Sequence, residues 1–150
     1  MGFNNHGVDV LLAHVRAVRD RIVDLGYPTW IGRVVGRAPA QYVVLSAPGW
    51  GSPDEAPLGG ASGSLDAVVR VMCVAANSEA ALTMADRVRD VLSPGPGRRT
   101  PLDVADRVAG IAWERAEFVA PDPSVTLTDG THPTVSVDSY RVQSEPQESP

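Results

Sequence analysis

Two stretches of this chain repeat their apolar residues every 3.6 positions, and the stretches beside them repeat every two, so the fold must combine helices with a sheet. Val8, Leu11, Leu12, Val15, Val18, Ile22 and Leu25 form one apolar face, with Arg16, Arg19, Asp20 and Asp24 opposite. Gly26 followed by Tyr27-Pro28 ends that helix, because glycine accepts the left-handed stop and proline cannot continue the turn. The second helix is capped by Asn77 or Ser78, carries Glu79 in its first turn, and has its apolar positions at Ala81, Leu82, Met84, Ala85, Val88, Val91 and Leu92. It stops at Ser93-Pro94-Gly95-Pro96-Gly97.

Strands are expected over Tyr42–Ala47, which is β-branched and aromatic, and over Leu65–Ala75, which alternates around Arg70. They pair as a hairpin whose tip is the long stretch APGWGSPDEAPLGGASGS, Ala47 to Ser64. A connection of that length in a compact domain is uncommon unless it binds something or is disordered. Thr29–Ala40 reads either as a short strand or as an irregular connector. Thr100-Pro101-Leu102-Asp103 resembles a capped helix start and allows one turn before Gly110. Ile111, Trp113, Arg115, Glu117 and Val119 then alternate with their neighbours as a strand, although neither face is purely apolar, and Thr134–Val142 gives another. The order helix, strand, strand, helix, strand, strand predicts an α+β fold: a mainly antiparallel sheet with two principal helices on one face. Residues 1–143 make a single domain, and 144–150, acidic and proline-bearing, read as a disordered tail.

Composition narrows the function by exclusion. The chain has a formal charge of −5 and all 13 of its basic residues are Arg, so it lacks the cationic surface of a sequence-independent nucleic-acid binder. Arg without Lys, beside abundant Ala, Val, Gly and Pro, reflects GC-rich coding. No apolar run approaches a bilayer span, and MGFNNHG lacks the blocks of a signal peptide, which implies a soluble, unprocessed chain without membrane partners. The one cysteine, Cys73, shares a strand face with Val69 and Val71 and reads as a core thiol.

Catalytic patterns are weak throughout. Gly49-Trp50-Gly51 is followed by no helix and lacks the third glycine of a dinucleotide loop. Gly60-Ala61-Ser62-Gly63-Ser64 lacks the closing glycine of a nucleophile elbow and leads into a strand. His6, His14 and His132 are scattered. Asp129, His132 and Asp138 lie near enough to suggest metal ligands, but Asp129-Gly130 more simply makes a turn and Asp138 a solvated strand position. No cofactor, metal or catalytic residue is assigned, and the expectation is a chain that is not an enzyme.

Four segments, taken in order, carry a resemblance: VVRVMCVAANSEAALTMADRVRDVL, Arg98-Arg99-Thr100-Pro101-Leu102-Asp103, IAWERAEFVAPDPSV, and HPTVSVDSYRVQSEP with its closing Val137-Asp138-Ser139-Tyr140-Arg141. This order resembles the tail terminator proteins of long-tailed bacteriophages, particularly those of GC-rich actinobacterial hosts. The resemblance implies a small α+β subunit of a hexameric ring in the virion, at the tail-neck junction. Such a ring caps the major tail tube protein, ends polymerisation and offers a docking surface to the head-tail connector protein, while DNA passes through it without specific binding. It also gives the long loop a role, because ring subunits benefit from projecting arms. Trp50 is then an interface anchor, with packing onto its own domain as the alternative. Asp54, Glu55, Arg98 and Arg99 complete the expected partner interface. Another neck component, such as a head-completion or connector protein, is the competing reading. A small ligand-binding or enzymatic domain lidded by the same loop stands further off, and a pocket with convergent polar groups would favour it.

Overall fold

The computed structural model describes residues 6–47, 58–59, 63–95, 97–123, 125–127 and 130–147. Its elements, in chain order, are α1 (His6–Val23), β1 (Thr29–Ile31), β2 (Tyr42–Ser46), β3 (Leu58–Gly59), β4 (Ser64–Ala75), α2 (Ser78–Leu92), β5 (Thr100–Leu102), β6 (Arg107–Pro121) and β7 (Thr134–Pro146). One sheet runs in the order β1-β2-β4-β7-β6-β5, with β3 pairing the start of β4. All pairings are antiparallel except β1 with β2. The fold is α+β, as the periodicities predict. None of the described helices is long and apolar enough to cross a membrane.

Both helices lie on one face because their apolar stripes leave them no other stable place. Leu11, Val15, Val18 and Ile22 of α1 are buried, as are Ala81, Met84, Ala85, Val88 and Leu92 of α2. They meet Val69, Val71 and Cys73 of β4 and Tyr140 and Val142 of β7 in one cluster. Each fully buried aliphatic side chain there contributes about 1.5–3 kcal/mol of hydrophobic stabilisation. Gly26 closes α1 with φ +96, its N–H bonding the Val23 carbonyl at 2.9 Å. Asn77 caps α2, its side-chain oxygen accepting from the Ala80 N–H at 2.9 Å. Cys73 is 1% exposed, and burial pushes its thiol up to about 12, consistent with a core thiol.

The opposite face of the sheet is not simply solvated. Tyr42, Val44, Val74, Val135 and Val137 form a second, smaller cluster there, joined by Trp30, Val34 and Met72. Trp30 sets its edge on Tyr42 at 5.9 Å and 80°, a favoured aromatic geometry. The Thr29–Ala40 stretch therefore resolves into a short strand, β1, followed by a connector that sends Val34 back to this cluster.

Four local expectations are corrected. Thr100-Pro101-Leu102 is a strand paired with Leu102 opposite Ala109, not a helical turn: it lies at the sheet edge, where proline's missing N–H costs nothing, and Leu102 is buried. β7 continues past Val142 to Pro146, with Ser144 buried and the Gln147 N–H on the Asp106 carbonyl, so strand extends into the segment read as tail. The Ala47–Ser64 stretch is not one open loop, since Leu58–Gly59 pairs back on Leu65 and Ser64. In β6 the alternation breaks twice, between Trp113 and Arg115 and between Ala116 and Phe118. Each such irregularity flips the faces, which is why neither face of that strand reads as apolar in the sequence.

Candidate interaction surface

Three of the five expected interface residues, Trp50, Asp54 and Glu55, lie outside the described residues. Arg98 and Arg99 are both exposed, in the connector between α2 and β5. Arg99 is not a free projecting charge. Its Nη2 donates to Gln143 Oε1, and its stem crosses β6 so closely that a Cβ on Gly110 would stand 2.1 Å from its Cδ. Glycine at 110 thus makes room for the arginine, which lies along the open face of the sheet.

That open face carries an ionic network across β4, β7 and β6. The Arg141 guanidinium donates from Nη1 to Asp66 Oδ1 and from Nε to Glu114 Oε1, each at 2.7 Å. Arg70 Nε lies 3.0 Å from Glu117 Oε2, and Ser139 Oγ donates to Glu117 Oε1 at 2.6 Å. Arg115 adds a looser contact to Glu117 at 3.7 Å. The Ser139 hydrogen bond, helped by Arg70 and Arg115, holds the Glu117 carboxyl below its ordinary value. Register explains the arrangement: Arg70 stands opposite Ser139 on β7, which stands opposite Arg115 on β6. Exposed pairs of this kind are each worth about 0.2–1 kcal/mol, so their main effect is to leave the face charged yet locally neutralised.

Two polar clusters on the helical face were not legible in the sequence. Asp138, expected to be solvated, is 3% exposed, because it points under α2. Arg89 Nη2 reaches it at 3.4 Å while the guanidinium stacks 4.3 Å above the Trp113 ring. Burial raises the Asp138 carboxyl from its ordinary value, and Trp113 and Arg89 oppose that rise. Beside this pair a recess of about 270 Å³ is lined by Arg89, Asp90, Ser93, Pro94, Gly97 and Trp113.

The second cluster pins α1 to the sheet. His14 is fully buried; its Nδ1 lies 2.7 Å from the Val10 carbonyl and its Nε2 lies 2.7 Å from Ser144 Oγ. A carbonyl only accepts, so the ring proton sits on Nδ1 and the Ser144 hydroxyl donates to Nε2. Arg107 Nε donates to the same Ser144 oxygen at 2.7 Å and its Nη2 to the Gly63 carbonyl at 2.8 Å. These bonds hold α1, β7 and β6 together, which makes the relay a structural pin. Asp138 and His132 are not brought together as ligands: Asp138 is committed to Arg89, and exposed His132 bonds the Val125 carbonyl at 2.6 Å. Among the described residues, no group of three or more His, Cys, Asp or Glu is placed to hold a metal ion.

No family model and no curated protein sequence matches the chain. A solved structure does. The fold is similar to a chain in a structure described as the virion of a native gene transfer agent particle, with a TM-score of 0.54 and 13% identity. The likeness covers 92% of this chain and 93% of the other. At that identity it is a likeness of fold, and it takes in the whole α+β unit rather than a local motif.

Proposed function

We propose that this chain is a structural subunit of a phage-type virion, and within it the tail terminator: a ring that caps the tail tube, ends its growth and receives the head connector. The observation that carries this reading is the end-to-end fold likeness to a virion chain, which agrees with the order of elements the sequence shares with tail terminators. The chemistry supports it. The prominent polar clusters are spent on holding elements together, as in the His14 relay and the Arg89–Asp138 pair, and the open face is charged but neutralised. A net charge of −5 suits a ring through which DNA slides, since gripping phosphate requires a cationic surface.

Growth of a tube continues while each new layer leaves an end that binds the next. A terminator must match that end on one face and offer a different surface on the other. Location is the first test. Gold-labelled antibody to this chain should mark particles at the head-proximal end of the tail, in a single band. Label spread along the tail, on the capsid or absent from particles would overturn the reading. Label at the neck that stays with tail-less heads on disruption would favour a head-completion or connector subunit instead.

A further inference from the structure

Which surfaces of the ring subunit meet can be read from the two ends of its sheet, an inference that rests on the ring reading above. We propose that the β1 flank of one copy docks on the β6 flank of a second copy, with the segment Arg33–Arg37 seated against Asp86, Asp90 and Val119.

The β1 flank presents a short cationic connector. Arg33 and Arg37 are exposed and have no carboxylate partner among the described residues, and Val35 between them is 68% exposed. The segment is anchored on the sheet by Val34, which packs on the second apolar cluster. Two unpaired guanidinium groups around an exposed valine make a surface that gains from an acidic, apolar counterpart.

The β6 flank supplies one. β5 covers β6 only from Ala109 to Ile111, and the Trp113 N–H beyond it is taken by Ser93 Oγ at 3.1 Å, so the rest of the strand forms the border of the sheet. Along that border Val119, which shares the face covered by α2, is 42% exposed, and Phe118, on the opposite face beside Val137, is 53% exposed. Above it, Asp90 is exposed without an ion pair among the described residues, and the Asp86 side chain is 77% exposed with Arg89 no nearer than 4.0 Å. Two of the arginines on this side are engaged, Arg89 by Asp138 and Arg115 by Glu117, while Arg98 stays exposed in the connector after α2. The last turn of α2 adds the partial negative charge of a helix C-terminus. At about 270 Å³, the recess bordered by Asp90 and Trp113 falls below the usual 300–1,000 Å³ of a small-molecule site and suits a single inserted side chain.

β1 and β6 lie towards opposite ends of the strand order, so a contact between them is heterologous: it repeats head to tail and closes into a ring when the rotation per copy allows. Charge reversal tests both the surfaces and their pairing. One variant carries Arg33→Glu and Arg37→Glu, the other Asp86→Arg and Asp90→Arg; all four side chains are exposed, so thermal midpoints should match the wild type. Mass measured by light scattering should show an oligomer for the wild type and a single protomer for each variant alone. Mixed one to one, the reversed flanks become complementary, and oligomers of alternating copies should return. Variants that assemble like the wild type overturn the surface assignment and leave the ring reading standing. Variants that stay single when mixed overturn the pairing. A wild type that stays monomeric up to the highest concentration overturns this self-contact, and the ring reading is then judged separately by tail length.

Discussion

His14 is the residue whose chemistry has the clearest consequence. Burial lowers its pKa from 6.5, the Val10 hydrogen bond opposing and the nearby Arg107 reinforcing that shift. The folded state therefore prefers the neutral ring, while the unfolded chain binds a proton near 6.5. Stability from this group is complete above pH 6.5 and declines as pH falls below it, because unfolding then takes up a proton. Asp138 works in the opposite sense: its carboxyl is raised by burial, so stability is gained as pH falls through its folded value towards the unfolded 3.8. Urea unfolding of the wild type and of His14→Gln between pH 7.5 and 5 separates the two. The wild type should lose stability relative to the variant across that range, and parallel pH curves would show that His14 is not held neutral.

At the scale of elements, α2 depends on its first turn. Replacing Asn77 by Ala removes the side-chain acceptor of the Ala80 N–H and should cost about 1 kcal/mol, while Asn77→Ser should cost little. Equal urea midpoints for the two variants would contradict the capping role. This helix is also plain in the sequence, since a cap, an apolar stripe and a proline stop all agree locally. The same is true of α1 with Gly26. β5 was missed because Thr-Pro-Leu-Asp is a good helix start taken alone, and only the edge pairing with β6 overrides it. Asp138 was misread for a related reason: its partner Arg89 lies 49 positions away on another element, so nothing near it in sequence marks it as buried. Arg98 and Arg99 were legible as charges, but the bond from Arg99 to Gln143 depends on the sheet bringing residues 44 apart together.

At the scale of the whole molecule three features stand together: an α+β unit similar in fold to a virion chain, polar clusters that tie its elements to one another, and the two sheet flanks proposed to meet between copies. On the proposed reading, a tube capped by this chain no longer offers the surface that recruits the next layer. The most direct measurement is the length distribution of tails, by electron microscopy, in phage from which this gene has been removed. Normal heads beside unjoined tails of excessive and variable length are the predicted result, with uniform length and head joining restored when the protein is supplied. Tails of normal, uniform length would contradict the capping role, whether accompanied by leaking heads or by intact virions.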